Sequence, residues 1–353
     1  MSAATALALA GCATFAATPG PEASAIVTQP TVLVATTRKP VNGGHTKPWF
    51  GTERGRTTTV ARARLRPPSD SHFSLSAVGL GNWTVLGVDP APQLANLLGD
   101  TANRDVLLYV HGYNQTFEQA AIDAARLSDG IKFAGETMVF SWPSRGRLLD
   151  YDFDRESAMW SRDALDQVVE DLLASPAVGR VNIVAHSVGT MLTTEALRQL
   201  YAKLGDYAAD RVGAIVLASP DIDMDVFTAA IPRIGPLAGK ITVITATDDR
   251  ALAVSRLVNG STSRVGAAEK AQLETLGLKV IDASQQGWGV LNHDLFLSNA
   301  GTQQAIRDAI GGPPRFGPFT VPSIQVGGSL PPPDGASQTP PDSAPPTVGA
   351  AAN

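Results

Sequence analysis

Nine residues, Val181-Asn182-Ile183-Val184-Ala185-His186-Ser187-Val188-Gly189, restrict what this chain can become more than any others do. A β-branched run enters a small-x-Ser-x-Gly turn, and the helix-forming stretch Met191 to Leu200 follows. Such a pattern predicts a tight strand-to-helix corner that lifts the Ser187 hydroxyl off the C-terminal edge of a sheet. The unpaired N–H groups of the helix start then lie beneath it. Small residues are needed at both ends because a bulky Cβ would strike the neighbouring strand or helix. Ala185 fills the first of those positions and Gly189 the last.

The surrounding chain supports a strand at that place. Strand-like runs occur at Thr31 to Thr36, Thr57 to Leu65, Val106 to Val110, Thr137 to Ser141, Ala214 to Ser219, Ile241 to Ala246 and Leu278 to Asp282. Helical patterns alternate with them at Phe117 to Ser128, Ser157 to Ala174 and Thr302 to Ile310. Fully apolar strands separated by helices imply an α/β fold, a mostly parallel central sheet with helices on both faces. Ligands of such sheets bind beyond the strand C-termini, where the loops discussed below also fall.

A serine hydroxyl becomes a useful nucleophile only beside a general base that a carboxylate holds in place. When the serine sits on a strand-to-helix elbow, the chain order is serine, acid, histidine. Of the five histidines, His45, His72, His111, His186 and His293, only His293 lies well downstream of Ser187. It falls in Gly287-Trp288-Gly289-Val290-Leu291-Asn292-His293-Asp294, between the last strand and the last helix. The acid is expected where the preceding strand closes, at Thr247-Asp248-Asp249-Arg250. Asp249 is the first choice and Asp248 the second; Asp221, in Ser219-Pro220-Asp221-Ile222-Asp223, is a third. Each of these aspartates has the alternative of capping a helix or closing a turn.

A tetrahedral oxyanion needs two N–H donors. Val188, directly after the serine, supplies one. Tyr113 in Val110-His111-Gly112-Tyr113-Asn114 is expected to supply the other, with Gly112 letting the backbone pass close to the nucleophile. His111 then orients the loop, and His186 packs behind the elbow. Phe140-Ser141-Trp142-Pro143-Ser144 is expected to border the pocket, with Trp142 either lining it or packing. The run Asp150 to Glu156 reads as a charged approach to a helix with no chemistry of its own.

Composition sets the outer limits. A net charge of −5 and the lack of a basic stripe argue against a nucleic-acid partner. Residues 311–353 are rich in Pro, Gly, Ala and Ser and bury too little apolar area to order themselves. Residues 1–29 are Ala- and Thr-rich, which leaves 30–310 as one globular domain. No metal or organic cofactor is implied, since the sequence carries no HExxH, P-loop or dinucleotide fingerprint. The lone cysteine, Cys12, cannot close an internal disulfide.

The run from Val106 to about Ala300 resembles the bacterial α/β-hydrolases of unknown function described as esterase/lipase superfamily enzymes. The resemblance rests on Tyr109-Val110-His111-Gly112-Tyr113-Asn114, Phe140-Ser141-Trp142-Pro143-Ser144, Arg155-Glu156-Ser157-Ala158, Val184-Ala185-His186-Ser187-Val188-Gly189, Pro220-Asp221-Ile222-Asp223 and Asp249-Arg250-Ala251-Leu252. It implies the α/β-hydrolase fold, a serine nucleophile at Ser187 and the acid at Asp249, because the family pattern places an aspartate shortly before Ala-Leu. The expected activity is hydrolysis of a small acyl ester through a Ser187-Asp249-His293 triad. The alternatives are acyl transfer, peptide hydrolysis, or an envelope-anchored binding protein that keeps the scaffold without turnover. Leu9-Ala10-Gly11-Cys12 resembles a bacterial lipobox, which implies lipidation at Cys12 and membrane attachment at the cell envelope. An inert thiol in an exported or cytoplasmic protein is the other reading.

Overall fold

Strand Arg104–Val110 shows how both faces of the sheet fill. Val106, Leu108 and Val110 join one apolar cluster while Leu107 and Tyr109 join the other, and all five are fully buried. Side chains alternate across a strand, so a run with no polar member must be covered twice. Burying each of these aliphatic side chains contributes about 1.5–3 kcal/mol.

The computed structural model describes residues 30–68, 83–99, 103–147, 149–246, 263–284 and 295–311. Among them the strands are β1 (Thr31–Pro40), β2 (Phe50–Arg66), β3 (Thr84–Ala91), β4 (Arg104–Val110), β5 (Glu136–Ser141), β6 (Val178–His186), β7 (Val212–Ala218), β8 (Ile241–Thr245) and β9 (Lys279–Asp282). The helices are α1 (Leu94–Leu98), α2 (Phe117–Gly130), α3 (Tyr151–Trp160), α4 (Arg162–Ala174), α5 (Val188–Leu204), α6 (Asp206–Arg211), α7 (Met224–Ile234), α8 (Lys270–Glu274), α9 (Leu295–Ser298) and α10 (Ala300–Ile310). Residues of α1, α4, α5, α6, α7 and α8 pack on one face of the sheet. Residues of α2, α9 and α10 pack on the other.

The strands form one sheet in the order β3-β2-β1-β5-β4-β6-β7-β8-β9. Only β2 runs antiparallel to its neighbours; the remaining pairings are parallel. This is the α/β-hydrolase fold. The order reverses around β4, which has β5 on one side and β6 on the other. Connections leaving β4 and β6 therefore part to opposite sides and open a crevice at their C-terminal ends. His111 to Asn114 leave β4 there, and Ser187 leaves β6.

Several elements differ from the sequence reading, which also has no counterpart of the short helices α1, α6 and α8. The helix expected over Ser157 to Ala174 is two helices with Ser161 between them, and the first begins six residues earlier, at Tyr151. The Asp150 to Glu156 run is thus mostly helix, not an approach to one. Strand β3 was not anticipated: Gly87, Asp89 and Pro90 mask it, and it is tolerated because β3 is the sheet edge. Helix α7 was likewise unforeseen; Asp223 caps it, accepting from the N–H groups of Asp225 and Val226.

Candidate active site

The corner at Ser187 adopts the geometry that its sequence context predicts. Its backbone stands at φ 51°, ψ −125°, a region a non-glycine residue enters at a cost of about 1–3 kcal/mol. Four hydrogen bonds hold it there. The Ser187 N–H donates to the Ala218 carbonyl at 3.0 Å. Its carbonyl accepts from the Thr190 N–H at 3.0 Å, the Thr190 hydroxyl at 2.5 Å and the Asp221 N–H at 3.4 Å. The steric reading of the turn's last position, Gly189, also holds. A Cβ on residue 189 would lie 2.3 Å from the His111 carbonyl oxygen and 2.8 Å from that of Val110.

The loop after β4 runs directly against this corner. A Cβ on residue 112 would meet the Ser187 Cβ at 2.8 Å and the His186 Nδ1 at 2.9 Å. The loop is fixed from its first residue. Nδ1 of His111 donates to the Gly112 carbonyl at 2.8 Å, and Nε2 accepts from the Trp142 N–H at 3.1 Å. That tautomer is inferred from the network, because the reverse would set a bare Nδ1 against a carbonyl. Burial, then the nearby Arg38 charge, pushes the His111 imidazole down to about 3, partly offset by its bonds to Gly112 and Trp142. The ring is therefore neutral at physiological pH. His111 orients the loop, as expected.

Trp142 takes the packing role of its two alternatives. It is fully buried, stacks on His111 with ring centroids 4.6 Å apart, and donates from Nε1 to the His111 carbonyl at 2.8 Å. His186 is buried behind the elbow against Phe296, with ring centroids 4.8 Å apart.

Sequence reasoning missed a polar network beneath the same loop. Arg38, at the end of β1, is buried; it donates to Ser141 Oγ at 2.9 Å, the Ser144 carbonyl at 2.9 Å, the Gln115 carbonyl at 2.8 Å and the Gly51 carbonyl at 3.2 Å. Asp154 of α3 is also buried. It accepts from the Asn114 N–H at 3.1 Å, the Arg145 N–H at 2.8 Å and the Ser144 hydroxyl at 2.5 Å. The Ser144 oxygen in turn accepts from the Gln115 N–H at 2.9 Å. Burial pushes the Asp154 carboxyl up, against the opposing pull of these donors and of Arg38. Arg38 is lowered by burial to about 10, with Asp154 the foremost group opposing the shift. One cue was present: Asp154, Ser157, Ala158 and Ser161 recur at helical spacing, and the structure buries all four.

Asp221, the third candidate acid, has two partners among the described residues. Its Oδ2 accepts from the Tyr151 hydroxyl at 2.7 Å, and its Oδ1 lies 3.3 Å from Arg264 Nε. That approach is off the N–H axis, so it is an ion pair and not a linear hydrogen bond. Both side chains are buried, at 2–3% exposure. Asp248, Asp249, His293 and Cys12 lie outside the described residues. The strands that lead to the first three nevertheless end together, with Thr245 of β8 paired to Asp282 of β9.

A groove of about 550 Å³ lies between α3, α5 and α7, lined by Met159, Met191, Ile222 and Val226 and also by the charged Asp152, Arg155, Glu156 and Glu195. Among the described residues there is no group of three or more His, Cys, Asp or Glu side chains placed to hold a metal ion. Nor is any described helix long and apolar enough to cross a membrane.

Comparison with known proteins gives this fold a family. An uncharacterized protein, alr1448, from Nostoc sp. is 27% identical over 124 residues, 28% of this chain and 32% of the relative. The chain thus spans about a third of that relative's length. Among solved structures, Est1E from Butyrivibrio proteoclasticus aligns over 71% of this chain and 93% of its own, at 11% identity and a TM-score of 0.38. The acetyl xylan esterase catalytic core from Trichoderma reesei covers 59% of this chain and 99% of its own, at 12% identity and 0.36. A cutinase-like protein from Cryptococcus sp. covers 60% and 98%, at 16% and 0.35. These likenesses carry no inference about substrate. The profile of the α/β hydrolases of unknown function termed DUF900 matches residues 91–308, most of the chain, and the protein belongs to that family.

Proposed function

We propose that the protein is a serine hydrolase acting on small carboxylic esters. The observation that carries this reading is the strained, four-fold tethered Ser187 at a strand-to-helix corner, pressed against a glycine loop at the sheet's switch point. Such strain persists where the surrounding structure over-determines it, and it clusters at active sites.

In this reading Ser187 Oγ attacks the ester carbonyl carbon while His293 removes its proton. The tetrahedral oxyanion rests on the N–H groups of Val188 and Tyr113; among the described residues the Tyr113 N–H makes no other hydrogen bond. Collapse expels the alcohol, which takes the proton back from His293, and water then releases the acid by the same steps. Asp249 orients the imidazole. Chain tethers support these assignments. Phe296, three residues beyond His293, packs on the His186 ring beside the nucleophile. Asp249 is three residues beyond Ala246. Three residues span at most roughly 11 Å. The groove includes Met191, four residues past Ser187 on α5, and its Met159, Met191, Ile222 and Val226 side chains offer apolar surface to an acyl chain of modest length.

Labelling with a fluorophosphonate and assay on a panel of p-nitrophenyl esters, acetate to decanoate, test the reading. Wild type labels and turns over, Ser187→Ala does neither, and His293→Ala loses roughly 10³-fold or more in kcat. A wild-type protein that neither labels nor hydrolyses any ester ends it, leaving a binding protein on a hydrolase scaffold. We also propose lipid attachment at Cys12 and residence at the cell envelope. Radiolabelled palmitate should enter the full-length protein and not Cys12→Ala; equal labelling of both overturns the anchor.

A further inference from the structure

Building on the ester-hydrolase reading above, we propose that Arg38 and Asp154 are positioning residues which, through Ser144, hold the 111–115 loop in register with Ser187.

The loop is pinned on both sides of Tyr113. The His111 carbonyl accepts from Trp142 Nε1 at 2.8 Å and the Gly112 carbonyl from the His111 ring at 2.8 Å. Beyond Tyr113, the Asn114 N–H goes to Asp154 at 3.1 Å, the Gln115 N–H to Ser144 Oγ at 2.9 Å and the Gln115 carbonyl to Arg38 at 2.8 Å. Asn114 sits at φ 59°, in the left-handed region that asparagine tolerates better than most residues, which lets the chain turn between Tyr113 and Gln115. Among the described residues the Tyr113 N–H makes no hydrogen bond, and in the proposed reaction it is the donor the oxyanion uses.

The two charges come from β1 and α3 and do not meet as an ion pair; Ser144 stands between them. Its carbonyl takes the Arg38 guanidinium and its hydroxyl donates to Asp154. Buried charges are costly, and replacing them with apolar groups is often neutral or stabilising. Stability alone therefore gives weak reason for a buried Arg and a buried Asp here. Holding an N–H donor where charge develops does give one, because a donor fixed beforehand needs no reorganisation during the reaction. A small displacement of that donor is expensive in rate.

Asp154→Asn keeps the shape but turns an amide NH₂ toward groups that are themselves donors. Ser144→Ala is a second, neutral variant that removes the shared hydroxyl and leaves both charges. Each is titrated to its end point with a fluorophosphonate, so that kcat refers to competent sites only. Both should lose about 10- to 100-fold in kcat per titrated site, with KM within about threefold of wild type. The Ki of a trifluoromethyl ketone, which forms the oxyanion adduct, should weaken by the same factor as kcat falls. A variant with a lowered Tm but kcat per site and ketone Ki within threefold of wild type overturns the proposal, leaving the network a support of the fold alone. If wild type itself fails to label or turn over, the hydrolase reading has failed instead, and this role falls with it.

Discussion

Gly112 and Ser187 are so close that a Cβ added to the glycine would lie 2.8 Å from the serine Cβ, inside any real contact distance. His186 Nδ1 and the His186 carbonyl, at 2.9 and 3.1 Å, close the other directions of escape. Gly112→Ala must therefore move the loop away from the nucleophile. Its kcat/KM on p-nitrophenyl acetate should fall at least about 100-fold, the scale of losing one oxyanion donor, while far-UV circular dichroism stays native. Activity within threefold of wild type would show that the loop yields without consequence.

Strain at Ser187 has a stability signature separate from catalysis. Glycine enters that φ, ψ region freely, at the expense of about 0.5–1 kcal/mol of extra unfolded-state entropy. Relief of about 1–3 kcal/mol outweighs that term. Ser187→Gly should raise Tm by a few degrees, and Ser187→Ala, which keeps a Cβ, should not. Equal Tm values for the two variants would place the strain elsewhere.

His111 makes folding sensitive to acid. Its folded pKa, about 3, lies below the ordinary histidine value near 6.5, so the folded state refuses a proton that the unfolded state accepts. Its contribution is whole above pH 6.5 and declines as pH falls from there toward 3. Asp154, raised by burial, acts in the opposite sense from the ordinary carboxylate range upward. The comparison is thus between wild type and His111→Gln in urea unfolding from pH 7 to 5. The stability difference between them should shrink by up to about 1.4 kcal/mol per pH unit below 6.5. A difference constant over that range would contradict a neutral buried imidazole.

Asp221 and Arg264 form a buried pair in which each compensates the other. Removing one partner of such a pair costs about 3–5 kcal/mol, and replacing both restores much of it. Asp221→Asn should lower Tm by roughly 6–15 °C, and Asp221→Asn with Arg264→Met should recover most of the loss. Turnover per titrated site in the double variant should stay within about tenfold of wild type, whereas Asp249→Ala should lose orders of magnitude. A double variant that regains its Tm yet stays inactive would make Asp221 the triad acid.

Much of this arrangement could be read from residue order, for a definite reason. Steric necessity writes itself into sequence: Gly189 and Gly112 are glycines because carbonyl oxygens and the Ser187 Cβ occupy the space, so the elbow was legible. Apolar strands such as Val106 to Val110 are likewise marked by their double burial. Hydrogen-bond networks leave a fainter trace, here only the helical spacing of Asp154 with Ser157, Ala158 and Ser161. Arg38 ends a strand like any surface cation, and Asp154 stands among Asp150, Asp152 and Glu156 with nothing in its type to show that it alone is fully buried. Ser161 divided a helix that amphipathic spacing read as continuous, because its hydroxyl turns back to the Ser157 carbonyl at 2.8 Å and also meets Thr37.

Strand β1 lies in the interior of the sheet, flanked by β2 and β5, yet it precedes residue 91, where the family match begins. A fragment cut to the matched segment would expose a naked ladder along β5, an invitation to aggregate. It would also lack Arg38, so Gln115 and Ser144 would surrender the cation that caps their carbonyls. What unites the family's members in sequence is therefore smaller than what this protein must retain to be expressed, assayed or redesigned.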